Sequence, residues 1–181
     1  IDTLTTHLTD LGHRRIALVN GRETLDFAAR RHAGFKAALN RSGGEVDPAL
    51  MRSGDMSEPN GYDAAHALLS LTNPPTAFVA SSVILALGVK RAVEERGLTP
   101  GRDVSIVCFD DDISYLPNAG HTPQFTAMRS SVRAAGARCA ELLLAQISDP
   151  DIPPSAELWE AEFVQGRSSG PALPSRTGDR S

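Results

Sequence analysis

Three short runs, RIALV (15–19), TAFVA (76–80) and DVSIVCF (103–109), are apolar at nearly every position. Each has the length of a strand, and each is bounded by turn residues or charge. A strand apolar on successive residues presents apolar groups on both of its faces, so both faces must be covered. Between these runs lie segments with apolar residues three and four apart, the spacing of amphipathic helices. Strands alternating with helices predict an α/β fold, a parallel sheet flanked by helices on both sides. In such sheets ligands sit in the crevice beyond the carboxyl ends of the strands.

The helices are predicted as follows. TLTTHLTDL (3–11) places Leu4, Leu8 and Leu11 on one face, and Gly12 ends it. Asn20-Gly21 marks a turn, and a helix follows over 25–41 with Phe27, Phe35, Ala38 and Leu39 directed inward, up to Ser42-Gly43-Gly44. The connection over 45–56 holds a short strand in its second half. Further helices run over 59–71, stopped by Asn73-Pro74-Pro75, and over 83–96, with Leu85, Val89 and Val93 on one side and Gly97 beyond. After residue 112 the pattern changes. An irregular loop covers 113–127, and a strongly amphipathic helix covers 130–147 with Val132, Ala135, Cys139, Leu142 and Gln146 along one stripe and Leu143 and Ile147 beside it. LWEAEFV (158–164) alternates like an edge strand, and 170–181 reads as a disordered tail.

Composition narrows the functional classes. The chain has 181 residues, 41% of them hydrophobic, enough for one ordinary core or two small lobes. A net charge of −4 supplies no basic surface to neutralise a phosphate backbone. No stretch approaches the ~20 apolar residues that span a bilayer. Cys108 and Cys139 sit in apolar runs and read as small buried hydrophobes of a reducing compartment. The Asn40-Arg41-Ser42 sequon has no other sign of secretion beside it. Glycine-rich phosphate loops, a nucleophile elbow and the zinc-protease helix motif are all missing, so no catalytic residue, cofactor or metal is expected. Histidines 7, 13, 32, 66 and 121 lack ligand spacing and read as surface or helix-end residues. His13-Arg14-Arg15 suits a helix C-terminus, where cations are favoured by the dipole.

One segment resists a purely structural reading. DVSIVCFDDD ends in Asp110, Asp111 and Asp112, which repel one another. Carboxylates are rarely buried unpaired, so the three are expected just past the carboxyl end of the strand, facing a ligand or solvent. The spaced oxygen ligands of a calcium loop are absent.

Four stretches together resemble the effector-binding core of LacI/GalR-family transcription regulators. They are HLTDLGHRRIALVNG (7–21), ARRHAGFKAAL (29–39), PPTAFVASS…LALGVKRAVEERGLTPGRDVSIVCFDDD (74–112) and FTAMRSSVRAAGARCAELLLAQI (125–147). Their order and spacing match over roughly residues 3–169. The resemblance implies a periplasmic-binding-protein-like type I fold of two α/β lobes, here mainly the C-terminal lobe. It implies that a helix-turn-helix and most of the first lobe are absent, and Ile1 at the start is read as the sign of a longer chain. Residues 1–127 would form the second lobe, 128–150 a crossover helix belonging to the first lobe, and 151–169 a return strand. Without that first lobe, the Val132/Cys139/Leu142/Leu143 face is expected to be exposed.

The resemblance also implies a binding site. Arg31, in Arg31-His32-Ala33-Gly34-Phe35, matches an arginine that contacts effector, its fork suited to hydroxyls, carboxylates or phosphates. The alternative is a solvated helix-face arginine. Asp110 matches an aspartate that accepts from sugar hydroxyls, while Asp111 and Asp112 cap or solvate the next turn. Ser82 and Val83 replace the family's Asn-Asp, Ser130 a glutamine, and Val132 an aromatic; the arginine near the carboxyl end aligns with Gly166. Ser82 and Ser130 remain the expected ligand contacts at those positions, in a more open pocket. The implied protein is a cytoplasmic, homodimeric, non-enzymatic regulator. It senses a small molecule, a sugar as the expected class, and reaches DNA only through the missing domain. The competing reading is a periplasmic sugar- or solute-binding protein of the same fold.

Overall fold

The structure, a computed structural model, describes residues 1–112, 118 and 121–174. Its elements run α1 (Asp2–Asp10), β1 (Ile16–Gly21), α2 (Asp26–Arg41), β2 (Met51–Gly54), α3 (Glu58–Leu69), β3 (Ala77–Ala80), α4 (Val83–Glu95), β4 (Ser105–Asp110), β5 (Thr126–Arg129), α5 (Val132–Ser148) and β6 (Glu162–Val164). The strands form one sheet in the order β2-β1-β3-β4-β5-β6. The first five are parallel, and β6 pairs antiparallel to β5. The expected α/β class is therefore the observed one.

The unbroken apolar runs are explained by the two cores. Ala17, Val19, Phe78, Ala80, Ile106 and Cys108 point to the α3/α4 side, against Leu68, Leu85, Val89 and Val93. Their neighbours Ile16, Leu18, Ala77, Val79 and Val107 point to the α1/α2 side, against Leu4, Leu8, Phe35 and Leu39. Alternate residues of each strand thus feed opposite cores, as the two-residue period requires. The register sets Val19 beside Ala80, Ala80 beside Cys108 and Cys108 beside Ala127, so the carboxyl ends of the strands lie together. Chain order reverses between β1 and β3, which makes that edge the crevice.

Several expectations are corrected. Thr126–Arg129 form β5, a ladder strand that takes up the last two residues of the loop expected over 113–127; residues 113–117, 119 and 120 of that loop lie outside the described residues. Of LWEAEFV only Glu162–Val164 pairs. Phe27 is exposed on α2 instead of facing the core, and Cys139 is exposed while Cys108 is buried. Cys139 belongs to α5, which buries no residue; Val132, Leu143, Leu144 and Ile147 all stand in solvent. The 155–159 segment lies along it, leaving a groove of about 270 Å³ lined by Ala135, Cys139, Leu142 and Trp159.

His13 is not a surface residue. It is 3% exposed and joins four segments: Nδ1 lies 2.9 Å from Thr76 Oγ1, and Nε2 lies 3.0 Å from Ser105 Oγ and 3.1 Å from the Gly170 carbonyl. The start of the expected tail is consequently ordered, and Ala172 N–H donates to the Leu11 carbonyl. His7 repeats the device, 3.0 Å from Ser169 Oγ with its ring against Phe163. Residues 175–181 lie outside the described residues.

Burial lowers the pKa of both histidines below the usual imidazole value, opposed at His13 by the Gly170 carbonyl and at His7 by Asp10. The unfolded chain binds protons near pH 6.5, the folded chain only further below. Stability is therefore complete above that value and falls as pH drops toward the folded pKa, by at most about 1.4 kcal/mol per pH unit per histidine. The urea midpoint is expected to fall between pH 7.5 and 5.5, and His13→Gln to flatten the fall. A wild-type midpoint constant over this range would contradict the lowered pKa of both rings.

Candidate functional site

The crevice is built from strand ends and from the first turns of the helices that follow them. At the end of β1, Asn20 is buried and donates from Nδ2 to the Ala28 carbonyl at 2.9 Å, fixing the start of α2 against the sheet. Its Oδ1 has no partner among the described residues. After β3, Ser82 is the N-cap of α4, accepting from Leu85 N–H at 3.3 Å. Its oxygen is already engaged, so toward a ligand it would act as a donor, where an asparagine amide offers both roles. Ser130, half-buried, follows β5, and its N–H donates to the Asp110 carbonyl at 3.0 Å.

Asp110 is the last residue of β4 and only 1% exposed, so the expectation that all three aspartates lie beyond the strand holds for Asp111 and Asp112 alone. Oδ1 of Asp110 accepts from Asp112 N–H at 2.9 Å, a turn that puts Asp112 at φ +54°, which aspartate tolerates. Oδ2 lies 3.6 Å from Arg129 Nε, the residue directly across the β4–β5 ladder. Arg129 in turn donates to the Asn118 carbonyl. The buried carboxylate is thus answered by a counter-charge on the next strand.

Arg31 reaches the same end of the sheet from α2. Its Cζ lies 4.4 Å from the centroid of Phe109, the residue before Asp110, and 5.0 Å from that of Phe27, one turn earlier on α2. Among the described residues no hydrogen bond or ion pair engages its guanidinium. Burial lowers its pKa from the usual value and Asp111 opposes this, but arginine remains a cation in any case. Asp111 is half-buried, and its carboxyl is pushed up by burial, with Arg31 pulling down.

The structure therefore places Arg31 and Asp110 at one strand end, and Ser82 and Ser130 at the ends of the strands on either side. Phe27, Phe109, Asn20 and Arg129 were not read as site residues. Arg129 carried a usable signal only once β5 is recognised as a strand, because the register then sets it opposite Asp110. Chemically the arrangement offers in-plane cationic donors, a hydroxyl donor and carboxylates, a set suited to recognition of a polar small molecule. Among the described residues no group of three His, Cys, Asp or Glu side chains is placed to hold a metal ion.

Residues 5–169 match the family model of the periplasmic binding protein-like domain. The chain is 42% identical over 165 residues to the HTH-type transcriptional regulator AglR of Rhizobium meliloti strain 1021, an alignment covering 91% of this chain and 46% of that protein. It superposes on a complex of the transcriptional regulator CelR with cellobiose at a TM-score of 0.79 and 27% identity, covering 91% of this chain and 50% of that one. For a LacI transcriptional regulator from a Rhodococcus species the TM-score is 0.76 at 29% identity, covering 94% of this chain and 61% of that one. The chain spans about half the length of the curated relatives it matches. Sheet order, matched span and relatives agree: this chain belongs to the periplasmic-binding-protein-like domain family, in the form found in LacI-type transcription regulators.

Proposed function

We propose that the chain is the effector-sensing and dimerisation core of a cytoplasmic LacI-type regulator, with a neutral sugar bound at the crevice by Arg31, Asp110, Ser82 and Ser130. The observation that carries this reading is Arg31, a guanidinium held at the strand ends with its hydrogen-bonding capacity unspent among the described residues. The cellobiose complex of a structural neighbour supports sugar as the ligand class. In the proposed whole protein a first lobe covers the exposed face of α5, ligand shifts the closure of two lobes, and a helix-turn-helix reads that shift on DNA.

A panel of cellobiose, maltose, trehalose and sucrose, with a nucleoside and a purine base as contrasting ring ligands, tests the effector class by thermal shift. A ligand at a hundred times its Kd adds about 2.7 kcal/mol of stability. That is expected as a Tm rise of roughly 5–10 °C for a chain of this size. Arg31→Ala removes charge-assisted hydrogen bonds of about 1.5–3 kcal/mol and should weaken binding roughly ten- to a hundred-fold. An unchanged shift in that variant would remove Arg31 from the site. Reading the source DNA upstream of Ile1 separates regulator from periplasmic carrier: a helix-turn-helix supports the first, a signal peptide the second.

A further inference from the structure

Resting on the reading of Arg31 as a ligand contact, we infer that Phe109 and Phe27 are positioning residues that hold the Arg31 guanidinium for edge-on recognition. A long arginine side chain carries about 2 kcal/mol of rotamer entropy and, left free, turns to the nearest carboxylate. Here carboxylates are close at hand: Asp111 acts on Arg31 electrostatically, and Asp110 follows Phe109 directly. Yet Arg31 pairs with neither. Its partners are two rings, 4.4 and 5.0 Å from Cζ, within the range at which a cation is attracted to an aromatic face.

The two rings are of different kinds. Phe109 belongs to β4, its backbone fixed in the ladder opposite Met128, so its half-buried ring is carried by the sheet. Phe27 lies four residues before Arg31 on the same helix, the spacing at which helical side chains meet, and is 40% exposed. An exposed phenylalanine at a strand-end crevice gains little from burial, and contact with the guanidinium gives it a role. Stacking uses the face of the guanidinium and leaves its N–H groups in the plane. A ligand must then approach along the edge with coplanar acceptors, as a pair of vicinal hydroxyls or a carboxylate can. Holding the arginine in this pose beforehand removes an ordering cost from binding.

The clamp is tested on the ligand-free 181-residue chain by proton–nitrogen NMR of the arginine Nε–H groups, with Arg31→Lys identifying the Arg31 signal. The expected result is an Arg31 Nε–H shifted upfield by ring currents and slowed in solvent exchange. Phe109→Leu and Phe27→Leu should each move it toward the free-arginine position, leaving the other arginine signals in place, while Phe109→Tyr restores it. Phe27 is exposed, so its variant folds even if Phe109→Leu does not. An Arg31 signal at the free-arginine position in the wild type, or one unmoved by Phe27→Leu and Phe109→Leu, overturns the inference. A ring-shifted Arg31 in a protein that no sugar stabilises would instead support the clamp while removing the sugar reading.

Discussion

Gly88→Ala is expected to destabilise the chain by about 3 kcal/mol or more, the upper end of what a single added methyl costs in a packed core. A Cβ at position 88 would lie 2.1 Å from the Glu58 carbonyl oxygen, 2.5 Å from Tyr62 N and 2.9 Å from Gly61 C. All three are backbone atoms of α3, so no rotamer change relieves the clash. The reciprocal position is as tight: a Cβ on Gly61 would stand 2.3 Å from the Leu85 carbonyl oxygen. α3 and α4 therefore cross with their backbones in contact, and an added methyl must push them apart. Separation would loosen Leu68, Leu85 and Val89, which are fully buried in the core under these helices. Alanine's better helix propensity returns only about 1 kcal/mol. That opposing effect can be isolated at Gly136 on α5, where a Cβ meets nothing within 4 Å; Gly136→Ala should stabilise slightly. Urea unfolding of both variants is the check. Equal midpoints for Gly88→Ala and Gly136→Ala would show that the helices are not in backbone contact.

This crossing also shows where reading the sequence stops. The apolar runs at 15–19, 76–80 and 103–109 announced β1, β3 and β4, because a strand covered on both faces carries its signature in consecutive residues. Nothing local in Gly61 or Gly88 announces that each faces the other helix, since close approach belongs to the pair. β5 was missed for a related reason. Thr126–Arg129 is four residues long and half-buried at its carboxyl end, so its strand character comes from pairing with β4 and β6. His13 looked like a helix-end cation because its partners Thr76, Ser105 and Gly170 are all distant in sequence. Arg31 and Asp110 were legible through family motifs. The rings beside Arg31 and the counter-ion of Asp110 are not, because periodicity assigns Phe27 to the core and no strand signal at 126–129 sets Arg129 opposite Asp110.

That counter-ion leads to the second large effect. Arg129→Met is expected to destabilise the chain by about 3–5 kcal/mol, the cost of breaking a buried charge pair from one side. Asp110 is 1% exposed, and its Oδ2 faces Arg129 Nε at 3.6 Å with no hydrogen-bond partner among the described residues. Removing the guanidinium leaves a carboxylate with one backbone N–H, from Asp112, and no ion-pair partner among the described residues. The reverse change should be milder. The Arg129 side chain is 25% exposed and still donates to the Asn118 carbonyl, so Asp110→Asn leaves a cation that water can reach. Its loss should be about 1.5–3 kcal/mol, that of a charge-assisted contact. The double variant should fall short of the sum by about 0.5–3 kcal/mol, since each change removes the other's reason to cost. Strictly additive losses by urea unfolding at pH 7 would mean that the two groups do not interact. The asymmetry also bears on the binding test. Asp110→Ala disturbs the apo fold as well as the site, because it removes the acceptor of the Asp112 N–H and the counter-charge of Arg129. Arg31 is held by ring faces with no ion pair among the described residues, and the charge its removal leaves behind, Asp111, is half-buried and within reach of water, which makes Arg31 the better probe of effector binding.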